Sequence, residues 1–373
     1  MKRLRILADD LTGALDCAAA FGAGVAVHLG QPANTEAAGI DIVATATRDV
    51  PVAKLPTLLA PTLAWLRDAD VAFKKVDSLL RGNTFDEVDW LARQAPFTGL
   101  ALVPAFPAQN RVTEGGQQWW RQADGSRTAV AVSMADSLRA RGWRVETDPT
   151  PPNVRQGAVA WVPDVLIDGD LDAVAAHALN TPGWLWCGSA GLAHALARSL
   201  ARTLTHRQPA QAQAAAQAPA HAPAGQVMLV SASHHPVSRE QWRVLRAARA
   251  ADCHAGEDLQ SLHAEAAHYP TLIDLSAAAR ITPVQATALL HAQTQAIAKH
   301  APRPRTLVVV GGDTLLSLCR ALGAAGLQSQ QALARPGWGC ARMVGGRWDG
   351  LMCHTRSGAF GGPQDLLDVL ASV

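Results

Sequence analysis

Three short runs in the first half of the chain gather acids, cations and hydroxyls within a few residues of one another. Arg5-Ile6-Leu7-Ala8-Asp9-Asp10-Leu11-Thr12-Gly13-Ala14 sets two carboxylates and a hydroxyl where an apolar run gives way to a helical pattern. Asp10 or Thr12 could simply cap the helix running through Asp16 to Phe21, but two adjacent acids exceed what one cap requires. Phe73-Lys74-Lys75-Val76-Asp77-Ser78-Leu79-Leu80-Arg81-Gly82-Asn83 repeats the theme. Period-two alternation puts Lys75 and Asp77 on one side of a strand and Lys74 and Ser78 on the other, so one of the two lysines should lie outside any site. Arg81 offers a rigid fork suited to a carboxylate, against the plain reading of a surface arginine before a glycine turn. Pro104 to Gly116 reads as a Pro/Gly loop that carries Arg111 and Thr113. Together the runs combine acids able to accept a hydroxyl proton with cations able to hold an acid group.

The second half holds turns suited to phosphate. Thr306 to Val310 is a buried-looking strand followed by Gly311-Gly312-Asp313-Thr314 and a helix through Leu322. Such a turn exposes backbone N–H groups at a helix N-terminus, where anions are favoured. Thr355 to Gly362 is a second glycine-rich turn, with Arg356, Ser357, Gly358 and Gly361, ahead of a final helix over Asp365 to Leu370. Ser231 and Ser233 follow a further strand and either meet a nucleotide or cap the helix entered by Ser238. The sequence contains no GxxxxGK[ST] P-loop, no HRD or DFG set and no GxGxxG opening a βαβ unit, so a nucleotide site here belongs to another architecture.

Elements that position these runs alternate. Ile6–Ala8, Ile40–Ala44, Val71–Val76 and Leu100–Pro104 read as strands between Ala/Leu-rich helices, and Gln226–Val230, Thr271–Leu275 and Thr306–Val310 resume the pattern. The alternation implies an α/β fold of two domains, each with a largely parallel sheet flanked by helices and with the active site in the inter-domain cleft. Residues 206–225, an Ala/Gln/Pro tract without apolar periodicity, read as a linker between residues 1–205 and 226–373. A length of 373 residues suits two domains.

Composition narrows the partners. With 49% hydrophobic and 17% charged residues the chain should fold, and a net charge of +2 gives no broad cationic field for nucleic acid or anionic lipid. The six cysteines show no CxxC pair, so neither a zinc site nor a disulfide framework is signalled. Asp9 and Asp10 interrupt the apolar stretch after the basic N-terminus too early for a signal peptide, and no apolar run is long enough for a membrane span. A cytoplasmic protein acting on a small molecule, free to pair as a homodimer, is the expectation.

At this point the motifs resemble a known family, the four-carbon acid sugar kinases. ADDLTGA stands at Ala8 to Ala14; Lys74 to Asn83 is similar to the family's KK.DSTLRGN with Leu79 in place of Thr; Pro104 to Thr113 is similar to PAFPAQGR with its following Thr; Gly188 to Ala193 matches GSAGLA; and Gly311 to Thr314 matches GGDT. The resemblance implies an N-terminal sugar-acid domain, a C-terminal nucleotide domain, and ATP with Mg²⁺. It also implies substrate-side roles for Asp9, Asp10, Lys75, Asp77, Ser78, Arg81 and Arg111, with one of Asp10 or Asp77 taking the hydroxyl proton. Ser231, Ser233, Gly311, Gly312, Asp313, Thr314, Gly358 and Gly361 fall on the nucleotide side. Departures are Arg356 where the family has lysine, Asn110 for a glycine, and Ser231-Ala232-Ser233 for a Gly-Ser stretch. Two rivals compete with a kinase: a haloacid-dehalogenase-like phosphatase, whose second acid would fall at Leu11, and a binding protein of the same fold without turnover.

Overall fold

The computed structural model describes residues 2–32, 39–122, 124–152, 158–205, 226–256, 259, 262, 269–277, 281–331 and 337–373. The chain divides into two compact units, Met1–Phe21 with Val25–Ala212, and Gly22–Gly24 with Gln213–Val373. The expected linker over 206–225 lies outside the described residues.

In the first unit eight parallel strands run in the order β2-β3-β1-β4-β11-β5-β10-β9. They are β1 (Leu4–Ala8), β2 (Ala26–Leu29), β3 (Ile40–Ala44), β4 (Val71–Lys75), β5 (Gly99–Val103), β9 (Arg144–Glu146), β10 (Val159–Trp161) and β11 (Trp184–Gly188). Helices α1 (Leu11–Ala20), α2 (Leu55–Leu59), α3 (Leu63–Arg67), α4 (Thr84–Gln94), α5 (Met134–Ala140), α6 (Asp168–Asn180) and α7 (Ala190–Thr205) flank the sheet. Every residue of β1, β4, β5 and β11 is buried, as expected of strands covered on both faces. The one basic residue of β1, Arg5, pairs with its register neighbour Asp41 on β3 at 3.1 Å.

Residues 104–116, read from sequence as a loop, instead feed a small antiparallel sheet of β6 (Arg111–Glu114), β7 (Gln117–Arg121) and β8 (Arg127–Ala129). The Gly115-Gly116 turn, with φ of +61° and +73°, closes the β6–β7 hairpin. A turn dipeptide between two short strands was legible; the proline-rich approach to it masked the strands.

The second unit orders its strands β13-β14-β12-β15-β18-β17-β16, of which β12, β13, β14, β15 and β18 are parallel and the last two antiparallel. They are β12 (Val227–Ser231), β13 (Cys253–Ala255), β14 (Thr271–Asp274), β15 (Thr306–Val310), β16 (Gly326–Ser329), β17 (Gly339–Val344) and β18 (Met352–Arg356). Helices α8 (Pro236–Arg249), α9 (Pro283–His300), α10 (Gly312–Ala321) and α11 (Asp365–Leu370) cover it. Trp242 and Leu245 of α8 and Leu366 and Val369 of α11 pack on Leu229 and Val308 in one apolar core.

Each sheet has a point where the chain changes direction. From β1 the first unit builds outward through β2 and β3 on one side, then crosses to β4 on the other; from β12 the second builds through β13 and β14, then crosses to β15. Loops diverge at such points and leave a crevice at the strand carboxyl ends, where ligands bind in open α/β sheets.

Candidate functional site

The first crevice, between the ends of β1 and β4, is where Asp9, Asp10 and Lys75 converge. Asp9 follows β1 and is 2% exposed. Asp10 caps α1, its Oδ1 accepting from the Gly13 backbone N at 3.0 Å. A Cβ at Gly13 would lie 2.4 Å from Asp10 Oδ1 and 2.5 Å from Lys75 Nζ, so only glycine lets that carboxylate and that ammonium close over the first turn of α1. The capping role and the site role of Asp10 therefore coexist. Burial works against charge on Lys75, yet Asp10 and Asp9 outweigh it and hold the ammonium above its ordinary pKa.

Arg48, in the loop after β3, grips both acids. Its Nε and Nη2 donate to Asp9 Oδ2 and Oδ1 at 2.8 and 2.9 Å, and its Nη1 and Nη2 donate to Asp10 Oδ2 and Oδ1 at 3.0 and 2.8 Å. Burial would raise the Asp9 pKa, but the Lys74 charge and Arg48 together hold it below the usual carboxylate range. The sequence reading missed Arg48. Its signal was present, since it lies just past the carboxyl end of an identified strand with Thr47 and Asp49 on either side, a fourth cluster of the same kind as the three that were read.

The alternation along β4 separates its lysines. Lys74 is turned to α4, where its Nζ meets Glu87 Oε2 at 2.7 Å with both side chains 1% exposed. Lys75 is on the Asp10 side.

Asp77 is spoken for locally. Its Oδ2 accepts from Leu79 N, Arg81 N and Arg81 Nε at 3.1, 3.3 and 2.8 Å, and its Oδ1 accepts from Arg81 Nη2 at 2.7 Å. Burial pushes the carboxyl up, and Arg81 outweighs that and holds it well below its usual range. The Arg81 side chain is 63% exposed. Ser78 is tied in through its carbonyl, which accepts from Gln118 Nε2 at 2.9 Å. The same Gln118 takes the Thr113 hydroxyl at 2.7 Å, and Thr113 is fully buried, so its hydroxyl is spent inside the hairpin. Arg111, at the start of β6, is half-buried and bonded to Gln109; among the described residues its Nε has no partner, and burial lowers its pKa while Asp77 opposes that.

The second crevice, between β12 and β15, is built from turns. Gly311, at φ +107° and ψ 130°, caps α10, and its N–H is held by the Arg356 carbonyl at 2.9 Å. Gly312, Asp313 and Thr314 then form the first turn of α10, at the end of a helix where anions are favoured. Ser231 Oγ accepts from Ser233 N at 3.2 Å and Ser233 Oγ from His235 N at 3.3 Å, while the cap of α8 is His235, whose Nδ1 accepts from Val237 N at 3.3 Å. Neither serine caps the helix. The turn after β18 packs against them: Ser238 Oγ donates to Gly358 O at 2.6 Å, and a Cβ on Gly358 would meet Ser233 Oγ at 2.2 Å. Gln241 of α8 holds that turn from behind, donating to Phe360 O and Gly362 O at 3.0 and 2.9 Å.

Arg356 is turned into the core of the second unit. It is 1% exposed, stacks over Trp338 at 4.9 Å, bonds Gln241 and Phe360, and pairs with Asp365 at 3.2 Å. Its guanidinium braces the glycine-rich turn from inside.

Residues 4–140 match a family model described as the sugar-binding N-terminal domain. A D-threonate kinase of Cupriavidus necator is 36% identical over 223 residues, 51% of this chain and 53% of that protein. The chain resembles the four-carbon acid sugar kinases. The match thus spans about half the length of that relative. The fold is shared with crystal structures of a Salmonella typhimurium LT2 protein (TM-score 0.71, 18% identity, 99% of each chain) and a Haemophilus influenzae protein of family model DUF1537 (TM-score 0.63, 16% identity, 99% of each chain).

Set against that kinase resemblance, the structure brings Asp9, Asp10 and Lys75 to one crevice of the first unit, and Asp77 and Arg81 to one turn after β4. Ser231 meets Ser233, and Ser233 lies against Gly358, in the second unit, at the end of the β12–β15 pair that Gly311 follows. Thr113 stands apart, closed inside its hairpin. The phosphatase rival loses ground: Asp9, its nucleophile position, is buried and gripped by Arg48, and position 11, where the second acid would stand, is a buried leucine. Among the described residues no three His, Cys, Asp or Glu side chains group to hold a metal, and no helix is long and apolar enough to cross a membrane.

Proposed function

We propose that the chain is an ATP-dependent kinase that phosphorylates a hydroxyl of a four-carbon sugar acid of the threonate, erythronate or 3-oxo-tetronate type. The observation that carries this reading is the Asp10 carboxylate set beside the buried Lys75 ammonium at the β1/β4 crevice, within the region that matches a sugar-binding domain model. That the Cupriavidus necator relative is a D-threonate kinase supports the reaction class.

Roles follow from availability. Asp10, with its side chain 19% exposed, is the carboxylate open to a substrate and takes the hydroxyl proton. Asp77, whose side chain is only 9% exposed and lies under Arg81, serves instead to fix the turn that carries Arg81 and Ser78. Lys75 stabilises negative charge on the reacting oxygen. Arg111, a half-buried cation with spare donors, anchors the acid's carboxylate, and Arg81 lines the same approach. Residues 1–205 would form the acid-binding domain and 226–373 the nucleotide-binding domain.

ATP with Mg²⁺ supplies the electrophilic γ-phosphoryl group. The residues present fit it: Gly358 lies where a side chain has no room, and the N-terminus of α10, opening on Gly311-Gly312, favours an anion. Ser231, Ser233, Gly311, Gly312, Thr314 and Gly361 would shape the phosphate cradle. Asp313, exposed at the start of α10, is the carboxylate at hand for a metal ion arriving on the nucleotide. Incubating the protein with ATP–Mg²⁺ and a panel of tetronates in a coupled ADP assay tests the proposal. Turnover on at least one acid is expected; binding of nucleotide with no turnover on any acid would leave a binding protein of the same fold.

A further inference from the structure

We infer that Arg48 is the positioning residue of the acid site and that Gly82 and Asn83 act through it, holding the loop after β3 so that one guanidinium fixes the plane of the Asp10 carboxylate. This rests on the role proposed for Asp10.

Arg48 spends four donor contacts on two carboxylates, and its Nη2 is shared between them. With the Gly13 N–H added, both Asp10 oxygens have a fixed partner, so the carboxylate cannot rotate without breaking charge-assisted bonds. Asp9, nearly without exposure, has no reach to substrate and works as the second post of the same clamp. A lysine could supply the charge at this position. Only a planar fork spans two acids.

The loop itself is tied at both ends. Thr47 N and Arg48 N donate to Asp9 O at 2.9 and 3.3 Å. Asn83 Nδ2 donates to Thr47 O and Val50 O at 2.9 and 2.7 Å, and Asn83 N donates to Arg48 O at 3.0 Å. Gly82, at φ +73°, comes so close that a Cβ there would lie 2.4 Å from Arg48 O. The Gly-Asn pair that ends the Lys74–Asn83 motif is thereby explained without any contact to substrate. It is the other half of the Arg48 clamp.

The test uses the full chain with Arg48→Lys, Arg48→Gln, Asn83→Ala and the Arg48→Lys/Asn83→Ala double variant, each assayed for thermal stability and for kcat and KM with ATP–Mg²⁺ and the best tetronate. Misplacing a reacting group by about 1 Å costs up to roughly 100-fold in rate, so Arg48→Lys should lose about 10- to 100-fold in kcat with KM for ATP unchanged. Lysine should restore thermal stability relative to Arg48→Gln but not kcat. Asn83→Ala should lose kcat in the same sense and add little to Arg48→Lys in the double variant. Additive losses, a change confined to KM, or full activity in Arg48→Lys would overturn the inference. Should the unaltered chain turn over no tetronate, the kinase reading fails separately. The clamp is then read from a crystal structure of Arg48→Lys: an Asp10 carboxylate swung from its plane supports it, and one left in place refutes it.

Discussion

Asp9 and Asp10 are neighbours in sequence with opposite fates. One is sealed under Arg48 and the other keeps an open edge toward the crevice. If Asp10 takes the hydroxyl proton, Asp10→Asn should lower kcat by about two to four decades with little change in nucleotide affinity, as read in the coupled ADP assay. Asp77→Asn should behave differently, because that carboxylate is a structural acceptor for Arg81 and two backbone groups. Its loss should appear first as a raised KM for the acid and a lowered melting temperature.

At the scale of elements, two contacts decide whether strand ends stay in place. The Lys74–Glu87 pair joins β4 to α4 in near-total burial, where a lone charge is costly. Glu87→Gln should therefore lower unfolding free energy by about 3–5 kcal/mol in chemical denaturation, whereas replacing both partners by Met and Leu should recover most of it. In the second unit Gln241 carries the turn over Ser357 to Gly362 by two side-chain bonds and braces Arg356 by a third. Gln241→Ala should cost about 1–3 kcal/mol and weaken nucleotide binding in calorimetry while leaving affinity for the acid unchanged. The same buried cluster explains why arginine stands where the family resemblance leads one to expect lysine: it packs on Trp338 rather than facing a ligand.

For the whole molecule, acid stability should be shaped by His354. Burial in β18 lowers its pKa from 6.5 to about 4, so between those values the unfolded chain binds a proton that the native chain refuses. This contribution is complete above about pH 6.5, is lost as pH falls toward about 4, and amounts to about 3 kcal/mol at 1.36 kcal/mol per unit. Denaturation of the unaltered chain and of His354→Leu across that range should diverge in slope. Parallel pH dependences would show that His354 is not the cause.

Period and composition determined the parallel strands, the glycine turns and the local runs that pair Asp9 with Asp10 and Lys75 with Asp77, because these depend on residues close in sequence. Backbone N–H groups tie Asp10 to Gly13 and Asp77 to Arg81 over three and four positions, and such contacts are legible in one dimension. Pairings across the fold were not. Arg48 meets Asp9 from 39 positions away, and Gln241 meets Arg356 from 115. Which lysine pairs with Glu87, which arginine turns inward and which acid stays open were decided by where the sheet brings distant loops together, since burial assigns a partner to every charge it removes from water.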